Sequence, residues 1–149
     1  MRSLIIAAPC LALTTVSGWW SVALAGGRGL WPPDEVTLSE AVATRNNAEA
    51  LRLIEKGADP NRAGHVRDGL LTNGYEVVVL PLEAAVAAQR ADSLRMLLAI
   101  GASADEREFR VLRCLEQARH DSGVREILET RAPGESDCTG VHLPTDRSR

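Results

Sequence analysis

Catalysis and metal binding draw on histidine, cysteine and paired carboxylates, and this chain has few of them to offer. It holds three histidines and three cysteines. His65 falls in a loop, His120 in a link between helical segments and His142 in a tail. General acid–base chemistry needs a positioned partner for each imidazole, and the local sequence supplies none. Cys114 has Arg113 and Glu116 beside it but no neighbouring histidine to take its proton, so it is a poor nucleophile candidate. Glu106 and Glu108 straddle Arg107 in the charged run Asp105 to Arg110, which reads as a solvated loop and not as an acid/base pair. The histidines and cysteines are too scattered to propose a metal site. No Gly-rich phosphate loop, dinucleotide fingerprint or Gly-x-Ser-x-Gly elbow occurs. The expectation is a chain that is not an enzyme and carries no cofactor. An enzyme whose site is assembled from distant residues is the reading this search disfavours.

The elements that would position any site must fit in 149 residues, the size of one domain. Apolar residues are 45% and charged residues 25%, which excludes wholesale disorder. Seventeen basic against twenty acidic side chains give a formal net charge of -3. A nucleic-acid binder needs a basic face to displace counterions, so no nucleic-acid partner is expected. Aromatics are 3%, too few for a base-stacking surface. The core must be built from Leu, Val, Ile and Ala.

Residues 1–25 read as a cleaved signal peptide. Arg2 provides a short positive start, Leu4 to Val16 an apolar stretch, and Ala23-Leu24-Ala25 the small residues a signal peptidase reads. The competing reading is an uncleaved anchor, since the uncharged run Leu4 to Ala25 is long enough to reach across a hydrocarbon core. Cleavage predicts a periplasmic or secreted chain and a linker or cap over residues 26–36, with Trp31 laid over the first helical segment of the body. It also leaves two cysteines, Cys114 and Cys138. In an oxidising compartment they are a candidate disulfide; the alternative is a core Cys114 and a free Cys138 thiol. Residues 133–149 are rich in Gly, Ser, Asp, Thr and Pro, and are expected to be disordered unless Cys138 tethers them.

Residues 37–132 contain a repeat. Leu38-Ser39-Glu40-Ala41-Val42 matches Leu82-Glu83-Ala84-Ala85-Val86 at an offset of 44, which also carries Leu53 and Ile54 onto Leu97 and Leu98, and Gly57-Ala58 onto Gly101-Ala102. A weaker copy comes next at an offset of 30, with Leu112, Leu115, Val124, Ile127 and Leu128. In each copy the apolar residues recur at i, i+3, i+4, which predicts two short helices. Thr37 with Glu40 is a candidate capping box. Asn47, Asp92 and Ser122 are candidate N-caps for the second helices. Gly57 and Gly101 are placed to end theirs.

Leu80-Pro81-Leu82-Glu83-Ala84-Ala85 resembles the Thr-Pro-Leu-His-x-Ala signature of ankyrin repeats, and Glu55-Lys56-Gly57-Ala58-Asp59-Pro60-Asn61 resembles the junction between a repeat's second helix and its finger. The likeness spans roughly Leu38 to Ala132. It departs where Leu80 replaces Thr and Glu83 replaces His, and in its spacing, since the family period is about 33. The resemblance implies an all-α, ankyrin-like solenoid of about three stacked helix pairs, the third a degenerate cap. The long first spacing is filled by residues 62–79, where Asn73-Gly74 lies between β-prone runs. Such a dipeptide predicts a type I′ turn, hence an elongated β-hairpin finger with that tip. The implied function is a non-catalytic protein–protein interaction module. Its candidate contacts are Arg45, Asn46, Gln89 and Arg90 in the helix links, and His65, Arg67, Asp68, Tyr75 and Glu76 in the finger. The alternative is a membrane-tethered structural adaptor that keeps its N-terminal segment; a membrane is a partner only in that case.

Overall fold

The computed structural model describes residues 35–131, 133–134 and 137–143. The expected signal peptide over 1–25 and the expected Trp31 cap lie outside the described residues. Six helices hold 53% of the described residues, and two short strands form the remaining regular structure among them. The order is α1 (Leu38–Ala43), α2 (Asn47–Glu55), β1 (Gly64–Val66), β2 (Val77–Val79), α3 (Pro81–Ala87), α4 (Ala91–Ile100), α5 (Glu106–Arg119) and α6 (Ser122–Arg131). None of these helices is long and apolar enough to cross a membrane.

The helices come in consecutive pairs, each joined by a link of two or three residues. The first two links share their backbone hydrogen bonds. Asn46 N–H donates to the Ala41 carbonyl and Arg90 N–H to the Ala85 carbonyl, both at 2.8 Å. Arg45, Gln89 and His120 occupy equivalent places with φ of 60°, 57° and 58°. A side chain in this left-handed region costs free energy, on the order of 1–2 kcal/mol, so the surrounding packing must over-determine the turn. The ends of α2 and α4 repeat as well. Gly57 and Gly101 take φ of 97° and 105°, and the next N–H, of Ala58 or Ala102, returns 2.9 Å to Leu53 or Leu97.

Helix α1 packs on α3 and α3 packs on α5, so the first helices of the pairs form a row; α4 packs on α6 beside it. Small side chains allow this. Ala41, Ala84 and Ala85 are fully buried between the row's members, and Val42, Val86, Leu112 and Leu115 fill the spaces. The second helices contribute Ala50, Leu94, Leu97, Val124 and Leu128 to one continuous core. Burial of such side chains is worth about 1.5–3 kcal/mol each, which sets the row's integrity against the cost of ordering short helices.

Several local expectations are corrected. The second helices open one residue earlier than predicted in the first and third pairs and two residues earlier in the second. Asn46, not Asn47, caps α2 through its Oδ1. Asp121, not Ser122, accepts the Val124 N–H at 2.8 Å. Asp92 lies inside the first turn of α4, whose N-cap residue Arg90 makes no side-chain cap. Thr37 does cap α1, accepting from the Glu40 N–H at 3.2 Å, but the Glu40 carboxylate turns to Arg67 instead. The run from Asp105 is not a loop. Asp105 and Glu108 form a reciprocal capping box, at 2.7 and 2.8 Å, that starts α5 well before the repeat's spacing suggests. The pattern Asp-x-x-Glu was the missed signal.

The hairpin is antiparallel, with Gly64 opposite Val79, His65 opposite Val78 and Val66 opposite Val77. Its first strand therefore lies upstream of Leu70, and residues 67–76 form a long loop between the strands. The type I′ turn is not formed: Gly74 has φ of 91°, but Asn73 is absent from the left-handed region. Leu71 and Thr72 are buried. Hydrophobic burial of Leu71 wins over the strand pairing that Asn-Gly favours.

Candidate functional site

The hairpin is held on α1 and its N-cap by two side-chain hydrogen bonds and one close backbone approach. Ser39 Oγ, fully buried, donates to the Val79 carbonyl at 2.8 Å. Thr37 Oγ1 donates to the His65 carbonyl. Gly64 lets the strand lie against both, since a Cβ there would meet the Thr37 Cβ at 3.0 Å and the Ser39 Oγ at 3.3 Å. With alternation fixed, Val66, Val77 and Val79 turn inward and are buried.

The outward face carries His65, Glu76 and Val78. His65 Nδ1 lies 3.2 Å from Glu76 Oε1, and both side chains are more than half exposed. Val78, opposite His65, is 55% exposed, the most open large apolar residue among the described ones. The loop behind this face is ordered by its own side chains. Asp68 Oδ1 accepts the Gly74 N–H at 2.6 Å, the Gly69 N–H donates to the Thr72 carbonyl at 2.9 Å, and Thr72 Oγ1 donates to the Tyr75 carbonyl. Arg119, from α5, reaches the Leu71 carbonyl at 3.3 Å. The finger is thus pinned to the body along its length.

The nine predicted contact residues separate into two groups. His65 and Glu76 share the outward face, with Tyr75 half-buried against the core beside them. The other six are engaged within the molecule. Arg67 pairs with Glu40, whose side chain is 6% exposed. Asp68 closes the loop and Asn46 caps α2. Arg45 Nε lies 3.0 Å from Asp92 Oδ2, Gln89 Nε2 donates to the Arg119 carbonyl at 2.6 Å, and Arg90 Nε reaches the Ala43 carbonyl at 3.5 Å. These last three tie one helix pair to the next. Asp92 completes the first tie. Its slight burial pushes its carboxyl up, but hydrogen bonds from Arg45 and the Ser93 N–H outweigh this and hold it below the usual range. Ser93 Oγ donates to Asn47 Oδ1 at 2.6 Å in the same cluster.

Sequence reasoning missed Val78, because a run of three valines carries no mark of which one faces out until the register is known. It also missed Glu40 and Asp92, whose partners are remote in sequence. Glu83, at the position where the resembled signature has His, accepts the Leu80 N–H at 2.9 Å through Oε2. Burial pushes its carboxyl above the ordinary value; the Leu80 bond opposes this and the nearby Glu108 adds to it.

Cys114 on α5 and Cys138 in the tail are joined as a disulfide, with a Cα separation of 5.7 Å. The expected disorder of the tail therefore yields to its stated exception over residues 137–143, where Leu143 packs against the core. Cavities among the described residues are shallow. One of about 270 Å³ lies between α4 and α6 over Leu98, Ala99 and Ile127. Another, about 280 Å³, is lined by Asn61, Leu80, Ser103 and Glu108. Among the described residues no three His, Cys, Asp or Glu side chains are grouped to hold a metal. Comparison of the chain with protein-family models gives no match, and comparisons with curated proteins and with solved structures give none either.

Proposed function

We propose that this chain is a non-catalytic protein-binding module, an ankyrin-like stack of three helix pairs exported to the periplasm or cell exterior, which holds a protein partner on the outward face of its hairpin. The observation that carries the reading is the repetition of the link. The same hydrogen bonds recur in the first two links, and a left-handed residue stands at the equivalent place in all three, as expected when one unit is stacked on its copies. Such a stack offers a preformed surface, so binding costs little ordering free energy. His65, Glu76 and Val78 supply that surface with an imidazole, a carboxylate and an apolar side chain on a hairpin anchored by Ser39 and Thr37.

Site-specific photo-crosslinking tests this. A photoreactive residue at position 78 in the exported chain should give one protein adduct, identified by mass spectrometry, and one at exposed Glu55 should not. Substitution of His65 and Glu76 by Ala should reduce the adduct at least fivefold. No adduct at 78, or equal adducts at 78 and 55, would refute the assignment.

A further inference from the structure

Helix α5 presents a stripe that the rest of the row does not. At i, i+3, i+4 and i+7 from Arg110 stand Arg113, Cys114 and Gln117, which lie on one side of a helix. The core side chains Leu112 and Leu115 belong to a different side. Three members of the stripe, Arg113, Cys114 and Gln117, meet the tail. Arg113 Nη1 donates to the Gly134 carbonyl at 2.9 Å. Cys114 is bonded to Cys138, and Gln117 Oε1 lies 3.2 Å from Cys138 Sγ. Asp137 has its carboxyl held low first by the Thr139 hydroxyl and N–H, and also by Arg110.

The stripe differs in kind from its counterpart on α3. Thirty residues earlier, Glu83, Ala84 and Ala87 stand in place of Arg113, Cys114 and Gln117, and the two alanines are buried in a helix that receives α5. On α5 the equivalent of Ala87 is the long, polar, exposed Gln117, and Cys114, in the place of Ala84, is bonded to the tail and not packed under another first helix. Arg107 extends the basic residues one turn further, giving guanidinium groups at 107, 110 and 113. Beside Gly134 a cavity of about 350 Å³ lies between α5 and α6, lined by Arg113, Glu116, Gln117, Arg125 and Glu129.

We propose that residues 137–143, bonded to α5 through Cys138, form a redox-released strap, an internal ligand clasped over a basic stripe of α5 that takes an acidic peptide segment once the Cys114–Cys138 bond is reduced. Cys138 is half-buried and Cys114 is 3% exposed, so a dithiol reductant attacks Cys138 Sγ. A mixed disulfide forms there, and the bond to Cys114 breaks, leaving a thiolate that takes a proton. The reductant's second thiol then displaces Cys138, which is protonated in turn. The chain gains two electrons and two protons, and the reductant leaves as a disulfide. The stripe is distinct from the hairpin face, so this inference stands apart from the function proposed above.

The test compares the oxidised full chain, the same chain reduced with dithiothreitol, and Cys138→Ser, each checked for helicity by circular dichroism. Two routes to the open state keep the test valid if one destabilises the fold. Amide exchange over 137–143 should quicken at least tenfold in both open forms. Fluorescein-labelled hexaglutamate should bind the open forms at least tenfold more tightly than the oxidised chain, and Arg110→Ala with Arg113→Ala should remove that gain. Unchanged exchange in the tail would overturn the release. Equal hexaglutamate binding by open and oxidised forms, or none by either, would overturn the stripe as a docking site.

Discussion

Leu97→Ala removes side-chain mass from a position that admits no water. Leu97 is 0% exposed in α4, and its carbonyl accepts the Ala102 N–H at 2.9 Å beyond Gly101. Three carbon groups are lost, at about 0.8 kcal/mol each, or roughly 2.4 kcal/mol in transfer alone. A residual cavity adds about 24 cal/mol per Å³, so an unrelaxed void of about 50 Å³ contributes roughly 1.2 kcal/mol more. The sum, about 3–4 kcal/mol, is a large share of the roughly 5–15 kcal/mol that holds a domain together. Leu51→Ala is the matched control. Its side chain is 42% exposed on α2, so the same chemistry should cost about 0.5 kcal/mol or less. Urea denaturation followed by circular dichroism gives both values. Midpoints that fall equally for the two variants, or a Leu97→Ala midpoint that does not move, would refute the argument that the second helices share the core.

Particular contacts set the other outcomes. Gly64→Ala forces a Cβ to 3.0 Å from the Thr37 Cβ; displacing that strand should cost about 1–3 kcal/mol, read from the thermal midpoint, while Gly69→Ala provides a strained site with open space for comparison. Glu83 has its pKa raised in the fold, chiefly by burial, so its contribution is favourable below 4.5 and is lost as pH rises through the folded value. Glu83→Gln should therefore raise the melting temperature at pH 7 and leave it nearly unchanged at pH 4; a lower melting temperature at pH 7 would contradict this. Asp92 runs the other way: its pKa is lowered, so its contribution is present above 3.8 and is lost as pH falls through the folded value. Asp92→Asn should lower stability at pH 7 and flatten the acid limb of the stability curve. Thiol titration of the denatured, non-reduced protein should find neither Cys114 nor Cys138 reactive, and two reactive thiols would rule the bridge out.

The helices were legible because their apolar residues recur at i, i+3, i+4, and the offset of 44 marked which copies correspond. Helix starts were misplaced by one residue because Asn46-Asn47 and Asp121-Ser122 each offer two capping side chains in succession, and spacing alone does not choose between them. The hairpin was legible as a hairpin, but its register was not. Asn73-Gly74 is a strong local signal, and it lost to the burial of Leu71, a tertiary effect. The link residues Arg45, Gln89 and Arg90 were read as contacts because they are polar and lie outside the apolar stripe. Their partners, Asp92, the Arg119 carbonyl and the Ala43 carbonyl, stand thirty or more residues away, where no local pattern reveals them. His65 and Glu76, which the structure places on the outward hairpin face, were singled out through turn chemistry that the structure replaced with a longer loop. Val78 joined them only once the strand pairing was known.

The central claim is that α1, α3 and α5 form one row whose side chains hold the pairs together as a single cooperative body. Native-state hydrogen exchange tests it most directly, at the amides of Val42 in α1, Val86 in α3 and Leu115 in α5. The account predicts that all three exchange through one common opening, with the same free energy and the same dependence on denaturant. Three separate opening energies, with α1 or α5 exchanging independently of α3, would contradict it.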